Sequence, residues 1–298
     1  MQIVAIGVNH KNAPVEVREK VALLESELPL ALKHLARFAN EGAILSTCNR
    51  TEVYACFPEA GEGDERLKRF LSEYKGIPQN EFDPFVYSYF QDEAARHLFG
   101  VASGIDSMIL GETEIMGQVR DALVAASSVG MVGTSLSRLF HYGLRTGRKA
   151  REQTNISRYA VSVSYAAVQM ARQVFGGLER CRVLVISAGE AGKMTAKSLR
   201  DAGVRDIAVT NRSPARGAAL ARDLGGRLVN FDAIGEALVD YDITISATAS
   251  TRFVLTADLV ARAMARRDGR SLCLIDIAVP RDVDPESRLI ENVHLYDI

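Results

Sequence analysis

Cys48 lies in a stretch whose side chains could support nucleophilic chemistry. It follows the short apolar run 43–45, and Arg50 comes two residues after it. A thiol attacks only as its thiolate, and a nearby cation lowers the pKa of a cysteine. The spacing therefore indicates a nucleophile at the end of a strand, activated by Arg50. A buried structural cysteine beside a surface arginine is the alternative, because most single cysteines are packing residues.

A glycine-spaced segment between residues 104 and 118 is the second place where the sequence suggests chemistry. Glycines fall among its apolar positions, although a glycine inside a helix costs about 1 kcal/mol relative to alanine. The hydrogen-bonding side chains between them are Ser107, Glu112, Glu114 and Gln118. This pattern is typical of a loop that lines a substrate pocket, and a capped turn between packed helices is the alternative. His97 precedes the segment, but a lone histidine on a helix is more often a packing residue than a catalyst.

The composition sets the class of protein. The chain has 298 residues, 47% of them hydrophobic and 24% charged, which is ordinary for a globular chain of two domains. The formal charge of −1 gives no overall attraction to nucleic acid, so such a partner must meet a local patch. The four cysteines are sparse and form no Cys-x-x-Cys pair, so we expect no metal site and a reducing, cytoplasmic location. We see no signal peptide and no apolar run long enough to span a membrane.

The elements that must position these residues change in pattern along the chain. Strands alternate with helices over roughly the first 90 residues, including a buried strand at 2–8 and a helix at 28–39. The pattern is mainly helical from residue 92, and from residue 157 a helix leads into apolar strands separated by helices. We therefore predict an α/β protein with an N-terminal α+β catalytic domain over residues 1–156. A doubly wound Rossmann domain follows over residues 157–298.

The turn after the first strand of the second domain indicates a dinucleotide site. Ser187, Gly189 and Gly192 occupy the three glycine positions of the fingerprint. Gly189 would let the backbone approach a pyrophosphate, and the following helix would supply N–H groups to it. Ser187 departs from the pattern, because serine lacks glycine's freedom at positive φ. The predicted turn comprises Ser187, Ala188, Gly189, Glu190, Ala191 and Gly192.

The end of the second strand of this domain indicates which cofactor binds. Where an NAD site carries a carboxylate for the ribose, this chain has Asn211, Arg212 and Ser213. Arg212 and Ser213 can bind a 2′-phosphate that a carboxylate would repel. We therefore expect NADP(H) rather than NAD(H), and an exposed loop arginine is the alternative for Arg212.

A basic segment lies between residues 137 and 158, where the only acidic residue is Glu152. Lysine and arginine on one helix face could meet phosphates, and a solvated face is the alternative. The basic residues are Arg138, Arg145, Arg148, Lys149, Arg151 and Arg158.

Taken together, these blocks resemble the glutamyl-tRNA reductase family. The resemblance is carried by residues 7–11, 46–52, 104–118, 145–156, 187–192 and 211–213, which run through nearly the whole chain in family order. The Thr-Cys-Asn-Arg block around Cys48 and the block 107–118 are its specific parts, whereas many dehydrogenases share the glycine turn.

The resemblance implies an NADPH-dependent reduction of glutamyl-tRNA to glutamate-1-semialdehyde, the first step of tetrapyrrole (5-aminolevulinate, porphyrin, haem) biosynthesis. Cys48 would form a thioester, His97 matches the family's important histidine, and Arg50 would pair with the substrate carboxylate. A glutamate-1-semialdehyde aminomutase is the implied protein partner. The implied glutamate pocket consists of Thr47, Asn49, Arg50, Ser107, Glu112, Thr113, Glu114 and Gln118.

The resemblance also bears on the C-terminal end of the chain. Family members continue into a long helix and a C-terminal dimerisation region. This sequence stops at Ile298, so either the chain is truncated or this member lacks that region, and we expect this form to be monomeric or weakly associating. A shikimate-dehydrogenase-like NADP oxidoreductase, which would need no thiol, is the first competing hypothesis. A non-catalytic regulatory relative that binds NADP or tRNA is the second.

Overall fold

The computed structural model describes residues 1–59, 61, 63–154, 156, 163–187, 189–248 and 250–297. The chain divides into two compact units, Met1–Ala160 and Val161–Ile298, each with its own hydrophobic core. One is α+β and the other has a parallel sheet covered by helices, so the predicted fold class is confirmed. Among the described helices, none is both long enough and apolar enough to cross a membrane.

The first unit is built on a four-stranded antiparallel sheet with the strand order β2-β3-β1-β4. Its strands are β1 (Gln2–Asn9), β2 (Glu41–Ser46), β3 (Arg50–Phe57) and β4 (Tyr87–Phe90). Its α-helices are α1 (Val15–Val21), α2 (Leu28–Leu35), α3 (Gly63–Lys75), α4 (Asp92–Ala102), α5 (Glu114–Ser128) and α6 (Thr134–Gln153).

The central position of β3 explains why this strand holds both apolar and charged residues. All eight of its residues are buried, because β2 and β1 pair with its two edges and helices cover its faces. Residues two apart in a strand point to the same face, so Arg50 and Glu52 share one face and are enclosed together. The first helices are shorter than the sequence indicates. For example, α2 ends at Leu35, and the turn after it still buries Phe38 and Ala39.

The second unit is a six-stranded parallel sheet with the order β10-β9-β8-β5-β6-β7. Its strands are β5 (Arg182–Ile186), β6 (Asp206–Thr210), β7 (Arg227–Leu228), β8 (Ile243–Ser246), β9 (Leu272–Asp276) and β10 (Val293–Asp297). Its α-helices are α7 (Val163–Phe175), α8 (Glu190–Asp201), α9 (Pro214–Asp223), α10 (Ile234–Asp240) and α11 (Ala257–Met264). The helix predicted from residue 157 is described from Val163 onward, and residues 157–162 lie outside the described part.

The strand order reverses at β5, which is the doubly wound arrangement. The chain runs outward from β5 through β6 and β7 on one side, and through β8, β9 and β10 on the other. Along β5, Val183 and Val185 join the core under α7, α8 and α9, whereas Leu184 and Ile186 join the core under α10 and α11. In such sheets, ligands bind at the carboxyl ends of the strands near the point of reversal. Here the residues that follow β5, β6 and β8 occupy that position.

Candidate active site and nucleotide cradle

Cys48 lies in the tight turn between β2 and β3. The hydroxyl of Thr47 shapes this turn by accepting hydrogen bonds from the backbone N–H groups of Asn49 and Arg50, both at 3.2 Å. The amide Nδ2 of Asn49 lies 3.4 Å from the Cys48 sulfur. All four cysteines are free thiols, and Cys48 is half-buried whereas Cys56, Cys181 and Cys273 are buried. Of the four thiols, that of Cys48 therefore belongs to the least buried residue.

The thiol of Cys48 is protonated at neutral pH in this structure. Burial raises its pKa to about 11, with the charges of Glu112 and Glu114 as the next contributors. Arg18 acts in the opposite direction, and its Nη1 donates to the carbonyl oxygen of Cys48 at 2.6 Å. The cation that bears on the thiol therefore comes from α1.

Arg50 is directed to a different set of partners. Its Nη1 lies 2.6 Å from Glu52 Oε1, its Nη2 donates to the Asp106 carbonyl at 2.6 Å, and both contact Asp106 Oδ2 at 3.2 Å. The expectation that Arg50 acidifies the thiol is therefore wrong for this structure: the pKa of Cys48 is raised, and Arg50 is not among the groups that shift it most. The reason is the strand period, which places Arg50 beside Glu52 on one face of β3. Its assignment to the substrate carboxylate stays a prediction.

Glu52 is the centre of a buried polar cluster. It is fully buried, and it accepts hydrogen bonds from Tyr54 at 2.5 Å and from Tyr87. His97 Nε2 lies 2.8 Å from Glu52 Oε1. Burial would raise the pKa of Glu52, but Arg50, His97 and Tyr54 outweigh it and hold this pKa well below its usual value. Glu52 is therefore an anion that fixes the arginine and the histidine at the same time.

His97 projects from α4 into this cluster. Its ring centroid lies 4.7 Å from that of Tyr89 and 5.1 Å from that of Tyr87. No hydrogen bond between His97 and Cys48 is found among the described residues. The catalytic role assigned to His97 stays a prediction, and the geometry shows how Glu52 orients the ring.

The segment predicted to line the substrate is a closed loop followed by α5. Gly104 and Gly111 both have left-handed φ values, 76° and 80°, and the N–H of Gly111 donates to the Gly104 carbonyl at 2.8 Å. Arg151 of α6 donates to the carbonyls of Ala102 and Glu112, both at 2.8 Å. The base of the loop is thus fixed from two directions, by Arg151 and by the contact of Arg50 with Asp106.

The other predicted pocket residues fall on this loop and on the first turns of α5. Ser107 is buried in the loop, and Thr113 is the residue before α5. Glu114 and Gln118 are one helical turn apart, so they share a face of α5. The structure brings Glu112 and Glu114 close enough to Cys48 to shift its pKa. It records no contact of Gln118 with the thiol among the described residues.

Several buried polar atoms in the Cys48 turn and in the segments that contact it or Arg50 have no hydrogen-bond partner among the described residues. They are the side-chain oxygens of Asn49 and Ser107 and the Nδ1 atom of His10. The backbone N–H of His10 donates to the Asn49 carbonyl at 3.0 Å, so His10 adjoins the Cys48 turn. Buried polar groups in native proteins are normally satisfied. These atoms are therefore suited to a polar ligand.

In the second unit, the turn after β5 leads directly into α8. The backbone N–H of Gly189 donates to the hydroxyl of Ser187 at 2.9 Å, and no side chain caps the helix. The described non-glycine residues with positive φ are Gln91, Asp268 and Asn292, so Ser187 needs no left-handed conformation here. Ala188 and the side chain of Glu190 lie outside the described residues. Since α8 begins at Glu190, its N-terminus faces the turn itself.

A cavity of about 640 Å³ lies at the ends of β6 and β7, and β6 is a neighbour of β5 in the sheet. Arg212 lines it, and its guanidinium carbon lies 5.7 Å from the ring centroid of Phe231. The side chain of Asn211 accepts from the N–H of Ser213 at 2.7 Å, which shapes the start of α9. The full lining is Asn211, Arg212, Pro214, Leu228, Val229, Asn230, Phe231 and Asp232.

Comparison with known proteins shows where this chain belongs. The sequence model described as "Glutamyl-tRNAGlu reductase, N-terminal domain" matches residues 6–154. The glutamyl-tRNA reductase of Pelotomaculum thermopropionicum is 45% identical over 100% of this chain and 68% of its own length. That of Geobacillus kaustophilus is 43% identical over 100% of this chain and 66% of its own length. The chain belongs to the glutamyl-tRNA reductase family.

The second unit and the chain as a whole each have a further match. A model described as "Shikimate / quinate 5-dehydrogenase" matches residues 169–298. The solved glutamyl-tRNA reductase of Methanopyrus kandleri is 38% identical, with a TM-score of 0.49, over 99% of this chain and 71% of that one. The chain spans about two thirds of the length of the curated glutamyl-tRNA reductases it matches.

Sequence reasoning missed three residues of the candidate site in this family member. Arg18 gave no signal, because one arginine on an amphipathic helix is unremarkable until its distance to Cys48 is known. His10 lay in a recognised block, but nothing in that block shows that its Nδ1 would be buried without a partner. Glu52 did carry a signal that could have been used, since a glutamate within a strand of otherwise largely apolar residues must be paired if it is buried.

The residues of the second unit fit a nicotinamide dinucleotide as the family implies. The uncapped N-terminus of α8 offers N–H groups to a pyrophosphate, and Gly189 beside it is exposed. Arg212 provides a positive charge at the wall of an adjacent cavity large enough for a nucleoside. Among the described residues, no group of three or more histidine, cysteine, aspartate or glutamate side chains could hold a metal ion.

Proposed function

We propose that the chain reduces glutamyl-tRNA to glutamate-1-semialdehyde with NADPH and releases the tRNA, through a thioester on Cys48. This is the first step of tetrapyrrole biosynthesis. The observation that carries the proposal is the setting of Cys48: a half-buried thiol in a turn where Asn49 and the adjoining His10 hold buried polar atoms without a partner among the described residues. Family membership supplies the substrate class, because the curated relatives are named glutamyl-tRNA reductase.

The first step is an acyl transfer in which atoms and charges balance. The sulfur of Cys48 bonds to the ester carbonyl carbon, the bond from that carbon to the ribose oxygen breaks, and the thiol proton ends on the ribose hydroxyl. No electrons are exchanged. The covalent intermediate divides one difficult step into two, because hydride adds more readily to a thioester carbonyl than to the oxygen ester of the substrate.

Glu112 and Glu114 give the substrate a way to activate the thiol. Their charges help to keep Cys48 protonated in the free protein. The glutamyl group of the substrate carries a free α-ammonium, which is a suitable partner for carboxylates at this site. When it binds, it offsets the two negative charges, so the pKa of Cys48 falls as the ester arrives. This arrangement protects the thiol from side reactions when no substrate is bound.

The second unit would hold the reductant. NADPH, when bound, supplies the hydride that reduces the acyl group. The N-terminus of α8 at Gly189 would bind the pyrophosphate, and Arg212 with Ser213 would bind the 2′-phosphate. The preference for NADP(H) rests on Arg212, because the residues after β6 include no carboxylate before α9.

The test is to follow glutamate from tRNA to protein and to aldehyde. The chain is incubated with 14C-labelled glutamyl-tRNA without NADPH, and the protein-bound label that hydroxylamine removes is measured. We expect labelling of the wild type and of Cys181→Ala, a variant of a buried thiol outside the site. We expect Cys48→Ser to show no label and, with NADPH, no semialdehyde. Full activity of Cys48→Ser would contradict the thioester mechanism.

The same assay separates the competing functions. Ribonuclease treatment of the substrate should abolish NADPH consumption, whereas a shikimate-dehydrogenase-like enzyme would be indifferent to it. Binding of NADPH and tRNA without protein labelling would indicate a regulatory relative. Under the proposed function, the charged tRNA places the reaction in the cytoplasm. The product, an aldehyde with a free amine, calls for an aminomutase as the partner that consumes it.

A further inference from the structure

The side chain of Arg212 is exposed, as expected of a loop arginine, yet two contacts within the protein hold its guanidinium. Its Nη2 donates to the hydroxyl of Ser250 at 2.9 Å, and its guanidinium packs against Phe231. Arg212 follows β6 and Ser250 follows β8, and these are the two neighbours of β5 in the sheet. The contact therefore spans the carboxyl end of β5, from which the Ser187 turn leads into α8. Ser250 is almost fully buried, at 3% exposure, so this hydroxyl is a rigid anchor.

Ser250 is itself held by a chain of hydrogen bonds. Its N–H donates to the hydroxyl of Thr248 at 3.1 Å, and its own hydroxyl donates to the carbonyl of Arg252 at 2.7 Å. Thr248 in turn donates its N–H to Asp282 at 2.7 Å and its hydroxyl to the same carboxylate.

Asp282 terminates this chain in the interior of the unit. It is fully buried, and it also accepts from the hydroxyl of Ser246 at 2.7 Å. Its backbone N–H donates to the carboxylate of Asp276 at 2.8 Å, which ties it to the end of β9. The position of Ser250 is thus set by the sheet.

We propose that Ser250, held through Thr248 by Asp282, is the positioning residue that makes Arg212 discriminate 2′-phosphorylated from unphosphorylated adenine nucleotides. This rests on the NADP(H) preference in the proposed function. Arginine loses much rotamer freedom when it is immobilised. Fixing it in advance removes that cost from binding. Ser250 uses one N–H of the guanidinium, and the planar fork has four others for a phosphate.

The experiment measures the dissociation constants of 2′,5′-ADP and 5′-AMP by calorimetry on the full chain. The two ligands differ only in the 2′-phosphate, so the ratio of their dissociation constants isolates the contribution of that phosphate. The variants are Ser250→Ala, which removes the anchor, Ser250→Thr, which keeps the hydroxyl, and Thr248→Val, which removes the next hydroxyl in the chain. Thr251→Ala is the control, because Thr251 is an exposed neighbour. Arg212→Ala reports the discrimination that remains without the guanidinium.

We expect Ser250→Ala to weaken 2′,5′-ADP by about three- to tenfold, the cost of ordering one long side chain, with 5′-AMP unchanged. Thr248→Val should act in the same direction, while Ser250→Thr and Thr251→Ala should retain the wild-type ratio. Tighter binding of 2′,5′-ADP by Ser250→Ala would show that Ser250 competes with the phosphate, and would overturn the inference. An unchanged ratio, or equal weakening of both nucleotides, would also overturn it.

The same measurements test the assignment of NADP(H) separately from the role of Ser250. If the wild type itself binds both nucleotides equally, or if Arg212→Ala keeps the preference, the assignment of NADP(H) through Arg212 fails. If the wild type discriminates and Arg212→Ala does not, that assignment stands, and only the role of Ser250 is decided by its variants.

Discussion

At the scale of single residues, burial and then the neighbouring charges set the pKa of the Cys48 thiol, and with it the reactivity of the thiol. Burial, Glu112 and Glu114 raise the pKa of the thiol, and Arg18 opposes them. A pKa of about 11 means that the thiolate fraction, and with it the rate of alkylation, should rise about tenfold for each pH unit from 7 to 10. A slow iodoacetamide reaction followed by mass spectrometry at Cys48 would measure this profile. A plateau near pH 8 would contradict it.

Replacing Arg18 tests its role in the same experiment. Arg18→Met keeps much of the side-chain volume but removes the charge and the donor to the Cys48 carbonyl. The pKa of the thiol should rise further, so alkylation at pH 9 should slow by about three- to tenfold. Arg37→Met, which removes an exposed arginine of the same unit, is the matched control and should leave the profile unchanged. Equal profiles for both variants would mean that Arg18 has no effect on the thiol.

At the scale of elements, the Glu52 cluster joins β3 to the loop before α5. Glu52→Gln would leave the buried Arg50 with Asp106 as its remaining carboxylate. Breaking a buried ion pair from one side costs about 3 kcal/mol or more. We expect the free energy of unfolding in urea to fall by about that amount. Glu25→Gln, at an exposed site on the same unit, should change it by less than about 0.5 kcal/mol.

The difference in stability between the wild type and Glu52→Gln should depend on pH in one direction only. The pKa of Glu52 is lower in the folded than in the unfolded state, so its contribution is complete above the unfolded value of about 4.3 and is lost as the pH falls through the folded value. The stability gap between wild type and Glu52→Gln should therefore be constant from about pH 6 to 8 and shrink in acid. A gap that grows in acid would show that the carboxylate is not stabilised by its partners.

Replacing Gly111 or Gly117 with alanine should change the stability of the first unit in opposite directions. Gly111 has φ 80°, and a Cβ there would lie 2.0 Å from the carbonyl oxygen of Ile156, so Gly111→Ala should displace the loop and destabilise the unit. Gly117 lies inside α5, and the nearest atom to a Cβ there is 4.0 Å away, so Gly117→Ala should stabilise the helix by up to about 1 kcal/mol. Urea unfolding compares the two variants. Similar losses in both would contradict this account of the loop.

How far the sequence predicts these elements depends on whether the signal is local. The strands β1, β5, β6 and β9 are apolar runs buried in a sheet, so their positions follow from the residue pattern. For β5, β6 and β9, the alternation with helices also predicts the doubly wound order. The sequence does not locate the ends of helices as well. For example, α8 begins at Glu190 although Gly192, a residue that disfavours helix, lies in its first turn. β4 and α11 gave no clear pattern and were found only in the structure.

The same distinction between local and long-range signals applies to the candidate site. Thr47, Cys48 and Asn49 act within one turn, so their block could be recognised from sequence. The partner of Arg50 could not, because Asp106 lies 56 residues away and only the folded sheet brings it within 3.2 Å. The link between Arg212 and Ser250 spans 38 residues and needs the parallel strand order to be known. The sequence therefore does not show which polar side chains pair over long distances along the chain.

At the scale of the whole molecule, a chain with a formal charge of −1 must recognise a polyanion through a local surface. The helix α6 supplies one: Arg138, Arg145, Arg148 and Lys149 are exposed, and no described carboxylate forms an ion pair with them. Arg151 differs, because its guanidinium is bound to the carbonyls of Ala102 and Glu112. We therefore restrict the proposed tRNA contact to the four exposed residues, and Arg158 lies outside the described part.

The salt dependence of tRNA affinity tests this surface. Each phosphate contact releases counterions, so replacing Arg145, Arg148 and Lys149 with glutamine should flatten the slope of log K against log salt by about two to three units. The same substitution at Arg205, Arg262 and Arg266, which are exposed on the second unit, removes equal charge elsewhere. If the surface on α6 binds phosphates, only the first triple variant changes the slope. If both triple variants lower the affinity alike, the effect comes from net charge, and α6 is a solvated face. Arg151→Gln separates the two roles of the segment, because it should leave the slope unchanged and instead raise the hydrogen exchange of loop 104–112.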